Sequence, residues 1–159
     1  MQKLNLIWVM ALLLFIGGCQ TGPSFNQEGV MIVEAETFEL VNAPIIEDPQ
    51  ASESKAVSIV AKDSRGILMI NLSAGNYIVN TIIFTLDVDH NALYIQYNEE
   101  EELRVYCNIY NQYAYCKKFL MFTVETEGLH KISFRASEAG MKLDCFEIVQ
   151  AEFWQNPLE

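Results

Sequence analysis

From Val30 onward, short β-branched apolar runs alternate with clusters of Gly, Asn, Asp and Ser, and no stretch sustains a helical period. The runs fall at residues 30–36, 56–60, 67–72, 76–84, 92–97, 103–107, 119–124, 130–135 and 142–149. Closely spaced short strands of this kind, about nine of them, predict an all-β sandwich of two packed sheets. With 51% hydrophobic residues the chain has enough apolar surface to build a core. One domain over residues 28–152 accounts for every run, leaving 153–159 as a tail. Glu99-Glu100-Glu101-Glu102 reads as a solvated loop or hairpin tip.

Charge narrows the partners. Twenty-one acidic residues against ten basic ones leave a net charge of -11, which repels a phosphate backbone and excludes nucleic acid. The sequence shows no Ser/His/Asp arrangement, phosphate loop, basic patch or Cys-x-x-Cys pair. His90, within Asp87-Val88-Asp89-His90-Asn91, belongs to a turn, because Asp and Asn favour turn conformations.

The N-terminus reads as an address. Lys3 precedes an apolar run at residues 6–16, too short to span a bilayer, which takes ~20 residues. Ile16-Gly17-Gly18-Cys19 resembles the bacterial lipobox, so residues 1–18 are expected to be a cleaved signal peptide and Cys19 the lipidation site. Residues 19–27 would form the lipid-anchored tether, and acylation would hold the protein stably on a membrane of the cell envelope. Gln20, in place of an aspartate, leans towards the outer membrane or cell surface. Export suits the cysteines. Cys107 and Cys116 flank what reads as a hairpin loop, as a disulfide in an oxidising compartment or as two thiols on neighbouring strands. Cys145, among Leu143, Phe146 and Ile148, reads as a small buried hydrophobe.

Three segments together resemble the carbohydrate-binding modules of families 6 and 35. Val33-Glu34-Ala35-Glu36 resembles their opening strand, and Ser73-Ala74-Gly75-Asn76-Tyr77-Ile78-Val79 their mid-domain strand entry. Residues 127–134 followed by 138–144 resemble their closing pair of strands, with order and separations kept. The resemblance implies a galactose-binding-like jelly roll: two antiparallel sheets with binding loops at one rim or on one face. It also implies a structural calcium joining the first strand to the last. Glu34 and Glu36, two apart, would face the same way on a strand, and Asp144 would lie beside them. These acids could equally be hydrogen-bonded or solvated without a metal. In this family they are structural and not catalytic, and the resemblance implies no enzyme activity.

For the sugar itself, the resemblance points to the aromatic cluster Tyr110, Tyr113 and Tyr115, with Lys142 (or Met141) at the position where the family carries an asparagine. The opposing aromatic wall is missing, since Arg65-Gly66-Ile67-Leu68-Met69 contains no ring. Three tyrosines in one stretch are also what cross-strand packing would use. Two functions are therefore expected: a non-catalytic carbohydrate-binding lipoprotein holding a polysaccharide or glycan, or a structural adaptor contacting a protein or the cell wall.

Overall fold

The computed structural model describes residues 23–158; the expected signal peptide, Cys19 and the start of the expected tether lie outside the described residues. Among the described residues twelve strands follow in order. They are β1 (Val30–Glu34), β2 (Glu39–Val41), β3 (Ile45–Glu47), β4 (Lys55–Ile59), β5 (Arg65–Leu72) and β6 (Gly75–Phe84). After these come β7 (Ala92–Tyr97), β8 (Leu103–Tyr106), β9 (Tyr113–Tyr115), β10 (Leu120–Val124), β11 (Gly128–Ala136) and β12 (Met141–Gln150). A seven-stranded sheet has the order β10-β6-β12-β4-β3, with β1 also on β12 and β9 also on β6. The five-stranded sheet runs β2-β5-β11-β7-β8. Every pairing is antiparallel. This is the expected two-sheet jelly-roll sandwich.

The core follows from strand alternation. Inward positions such as Met31, Val33, Val57, Ile59, Val79, Ile83, Leu143, Phe146 and Ile148 from one sheet meet Leu68, Ile70, Leu93, Ile95, Ile132 and Phe134 from the other. Phe38 bridges the two, edge-on to Phe146 at 5.2 Å and tilted against Phe134 at 5.7 Å. Gly66 makes room for Phe134, because a Cβ there would stand 2.4 Å from its Cε1. Burying each such phenylalanine contributes about 1.5–3 kcal/mol.

Three expectations change. The strands β2, β3 and β9 have only three residues each, too few for an alternation to register in the sequence. Residues 107–116 are not a hairpin loop: β8 pairs with β7, whereas β9 pairs with β6 of the opposite sheet, so the chain crosses between sheets here. Glu34 is the last residue of β1, and Ala35–Thr37 form a 3-10 turn, so the period-two argument placing Glu36 beside Glu34 fails.

The chain ends dock on the sandwich. Phe25, expected in the tether, packs on Tyr77 at 5.8 Å, and Asn26 Oδ1 accepts the backbone N–H groups of Glu28 and Val30. Beyond β12, Phe153 seats on Gly29, where a Cβ would lie 2.3 Å from the ring and φ is +68°. Trp154 packs on Phe119 at 4.5 Å. This C-terminal segment therefore lies over one end of the seven-stranded sheet.

Candidate functional site

Register alone assembles the outer face of the seven-stranded sheet, because directly opposed residues point the same way. Tyr113, Phe84, Lys142 and Ser58 form one row across β9, β6, β12 and β4. Tyr115, Ile82, Cys145 and Glu34 form the next, and Asn80, Glu147 and Ile32 the one after. A bulge between Leu143 and Cys145 keeps both rows on this face and leaves Asp144 as the extra residue.

The first row is a compact group. Tyr113 Oη donates to Asp48 Oδ2 at 2.8 Å, and Lys142 Nζ donates to the same oxygen at 2.6 Å. Lys142 Nζ also lies 4.6 Å from the Phe84 ring centre, and Phe84 meets Tyr113 edge to face at 5.4 Å. The Lys142 hydrogen bond, followed by the Gln50 and Tyr113 donors, holds the Asp48 carboxyl below its usual range against the opposing effect of burial. Burial first, and then the Asp48 carboxylate, push the Tyr113 phenol far up, so it stays a neutral donor. Of the residues expected from sequence, Tyr113 and Lys142 thus come together. Asp48 and Phe84 complete the group; β-alternation on β6 could have found Phe84, whereas Asp48 arrives from a loop distant in sequence.

Tyr115 belongs to a neighbouring group. Its Oη donates to Glu147 Oε1 at 3.3 Å, and Asn80 Nδ2 donates to Glu147 Oε2 at 2.8 Å. Burial and the Glu147 charge raise the Tyr115 phenol. A groove of about 710 Å³ opens beside these residues, walled on its far side by Phe153, Trp154 and Gln155. Tyr110 joins neither group. It stands 37% exposed in the connection between β8 and β9.

The acids expected at a metal site are regrouped. Glu34, Asp144 and Cys145 bring their ligand atoms within 4.8 Å of one another, and Glu36 is not among them. Ser52 bridges the two carboxylates, its Oγ 2.5 Å from Glu34 Oε2 and 2.8 Å from Asp144 Oδ1, with Ser52 N–H donating to Asp144 Oδ1 at 2.9 Å. Among the described residues no cation pairs with either acid. Burial pushes the Glu34 carboxyl up; Ser52 opposes this, and Asp144, Glu36 and Glu53 add repulsion. Burial and the two acids push the Cys145 thiol up, leaving it protonated and a poor ligand. The donor set that remains, two carboxylates and a hydroxyl, fits a hard divalent cation such as calcium and not a thiolate-seeking metal. Glu36 Oε2 is buried without a hydrogen-bond partner.

Cys107, Cys116 and Cys145 are free buried thiols in this structure. The Lys117 N–H donates to the Tyr106 carbonyl, which sets the two chain segments carrying Cys107 and Cys116 side by side. Burial raises the Cys116 thiol well above its ordinary value, with a contribution from Cys107.

The five-stranded sheet carries something the sequence did not reveal. Arg65, Arg135, Tyr94 and Arg104 form one outer row, gathering all three arginines of the chain. Glu102 forks Arg135, which lies 3.9 Å from the Tyr94 ring centre, and Glu138 pairs with Arg104 at 3.0 Å. Histidines serve structure. His130 stacks on Tyr97 and shares a 2.8 Å hydrogen bond with its hydroxyl, and His90 closes the Asp87 turn.

No family model matches this chain, and no curated protein matches it in sequence. Solved structures do share its fold. It is similar to the C-terminal family 6 carbohydrate-binding module of the laminarinase LamC from Zobellia galactanivorans, at 16% identity and a TM-score of 0.60, over 76% of this chain and 99% of that one. A family 35 module from Clostridium thermocellum matches at 19% identity and a TM-score of 0.57, over 74% and 97%. An exo-β-1,3-galactanase from Phanerochaete chrysosporium, in complex with β-1,3-galactotriose, matches at 14% identity and a TM-score of 0.64 over 76% of this chain. This chain spans 29% of the galactanase. The fold is that of family 6 and family 35 carbohydrate-binding modules.

Proposed function

We propose that this chain is a non-catalytic carbohydrate-binding lipoprotein of the bacterial cell envelope, anchored through Cys19 and holding a glycan on the outer face of its seven-stranded sheet. The observation that carries this reading is the row Tyr113–Phe84–Lys142, with Asp48 behind it, on a fold shared with sugar-binding modules. Rings present a broad apolar surface to the C–H face of a pyranose at little entropic cost, while Lys142 offers N–H donors to its hydroxyls. With few rings, affinities on the order of 0.1–1 mM are expected. Calcium held by Glu34 and Asp144, with Ser52 alongside, would supply charge neutralisation and tie β1 to β12.

The test is titration with neutral and acidic glycans, including β-1,3-galactan, β-mannan and laminarin fragments. Binding by the parent and its loss in folded Tyr113→Ala and Lys142→Ala proteins supports the reading. Unchanged binding in both variants moves the site elsewhere. Cys19→Ala should release the protein from the membrane fraction. In the oxidised, exported protein Cys107 should be recovered joined to Cys116 in unreduced peptides; alkylation of both without reduction rules that bond out.

One observation favours the adaptor reading. Leu86, Val88, Ile109 and Tyr110 are exposed on two loops tied together by Thr85, whose Oγ1 donates to the Ile109 carbonyl and whose carbonyl accepts the Asn111 N–H. A protein captured from native membranes, then lost on Leu86→Ser and Val88→Ser with no glycan bound by the parent, would decide for the adaptor.

A further inference from the structure

We infer that the groove between the C-terminal segment and the seven-stranded sheet is a second sugar station, so that the ligand is a neutral oligosaccharide chain and not a single terminal sugar. The inference rests on the carbohydrate-binding reading and extends it to ligand length and charge.

Geometry comes first. Phe84 belongs to the Lys142 row and Asn80 to the Glu147 row, four residues apart on β6, or about 13 Å along the strand. That distance exceeds a single pyranose ring. A ligand touching both rows must therefore be a chain lying along β6 and β12. Between the rows stand Tyr115 and Ile82, a ring and an aliphatic side chain over which such a chain would pass.

Chemistry comes second. Glu147 accepts from Asn80 and Tyr115 but pairs with no cation among the described residues, so its carboxylate keeps accepting capacity on the groove floor. Across the groove Trp154 supplies an indole wall, and its Nε1–H is buried without a hydrogen-bond partner. A missing partner at a buried donor costs about 1–3 kcal/mol, which a ligand-driven shift of the ring would relieve. Sugar hydroxyls both donate and accept, matching a carboxylate on one side and an indole N–H on the other. Glu28 also lines the groove. Two carboxylates in one groove disfavour uronates and select uncharged sugars.

The segment that builds the wall is itself seated for the purpose. By register Ile78 and Val149 point outward, yet they are only 2% and 3% exposed. Phe153 on Gly29 and Trp154 on Phe119 hold residues 151–157 over that end of the sheet. The wall closes the far end of the path along β12, so the chain would terminate or turn there.

The experiment is a ladder of a single neutral glycan, from monosaccharide to hexasaccharide, titrated against the full chain in detergent. In a Trp8→Phe background Trp154 is the sole tryptophan, so its emission reports on this groove alone. Affinity should rise about tenfold from monosaccharide to the longer chains, equivalent to ~1.4 kcal/mol. Only the longer chains should shift Trp154 emission. Glu147→Gln and Trp154→Ala should each abolish the gain with length while leaving monosaccharide affinity as in the parent. Glu147→Gln keeps the side-chain volume and guards against misfolding of the Trp154 variant. Affinity independent of length, or bound oligosaccharide with unchanged Trp154 emission, overturns the second station and leaves the first intact. No binding of any glycan overturns both.

Discussion

The two outer faces of the sandwich handle charge in opposite ways. On the five-stranded sheet each of three cations meets an acid: Arg135 with Glu102, Arg104 with Glu138, and Lys131 with Glu99. On the seven-stranded sheet Lys142 answers Asp48, while Glu34, Asp144 and Glu147 face one another or neutral donors. A balanced face is complete in itself. An unbalanced, partly buried one would gain stability from a bound partner, and hydroxyl-rich ligands and divalent cations are the chemistries that suit it.

The sharpest way to break this contrast is to add calcium. Calcium at a thousandfold excess over its dissociation constant should stabilise the fold by ~4.1 kcal/mol through mass action. Thermal melts in calcium and in chelator check this, and Asp144→Asn should abolish the difference. Identical melting curves for the parent in both buffers would leave Glu34 and Asp144 as ordinary acids.

Removing the one ion pair of the unbalanced face should come next in size. Asp48 is buried and accepts from Lys142, Tyr113 and the Gln50 N–H. Asp48→Ala strands those donors and should cost about 2–3 kcal/mol in urea unfolding. A loss below the error of the urea measurement would show that the group is solvated and not built.

Acidity separates the two kinds of acid by sign. Asp48 has its pKa lowered on folding, so its stabilisation is present above the unfolded value, about 3.9, and is lost as pH falls through the folded value. Glu34 has its pKa raised, so the folded state holds the proton more tightly. Stability in chelator should therefore decline as pH rises from the unfolded value, about 4.3, through the raised folded one. Calcium should flatten that decline. A chelated protein whose stability rises through this range would contradict the placement of Glu34.

The smallest effect should be on the balanced face. Glu102→Gln breaks the fork on Arg135, but both side chains are well exposed to water, at 34% and 45%, and exposed pairs contribute at most about 1 kcal/mol. A larger loss in the same urea assay would mean that the Arg135–Tyr94 stack holds the sheet together, and the contrast between faces would need redrawing.

Much of the fold was legible because burial imposes period two on a strand: each of the nine apolar runs became a strand, with the hydrophobic set turned inward. The three-residue strands were not legible, since pairing with a neighbour defines them and their own pattern does not. Tyr113 and Lys142 could be singled out from the sequence, and Phe84 was readable by parity on β6, whereas Glu147 shares the face of Lys142 only through the bulge at Asp144. Asp48 was not readable, because a loop residue joins a strand pair only through tertiary packing.

What the sequence determined by itself was local and periodic: an all-β chain, its turns and its acidity. Tertiary structure alone decided which acids would meet. The 3-10 turn at Ala35 carried Glu36 away from Glu34, and the bulge at Asp144 with Ser52 brought an unforeseen hydroxyl between two carboxylates. Crossing between sheets set β9 beside β6, so that Tyr113 and Tyr115 joined the face that carries Lys142 and Glu147. The reason is physical: side-chain direction follows from backbone period, which is written locally, whereas proximity across strands follows from register and bulges, which depend on how the two sheets pack.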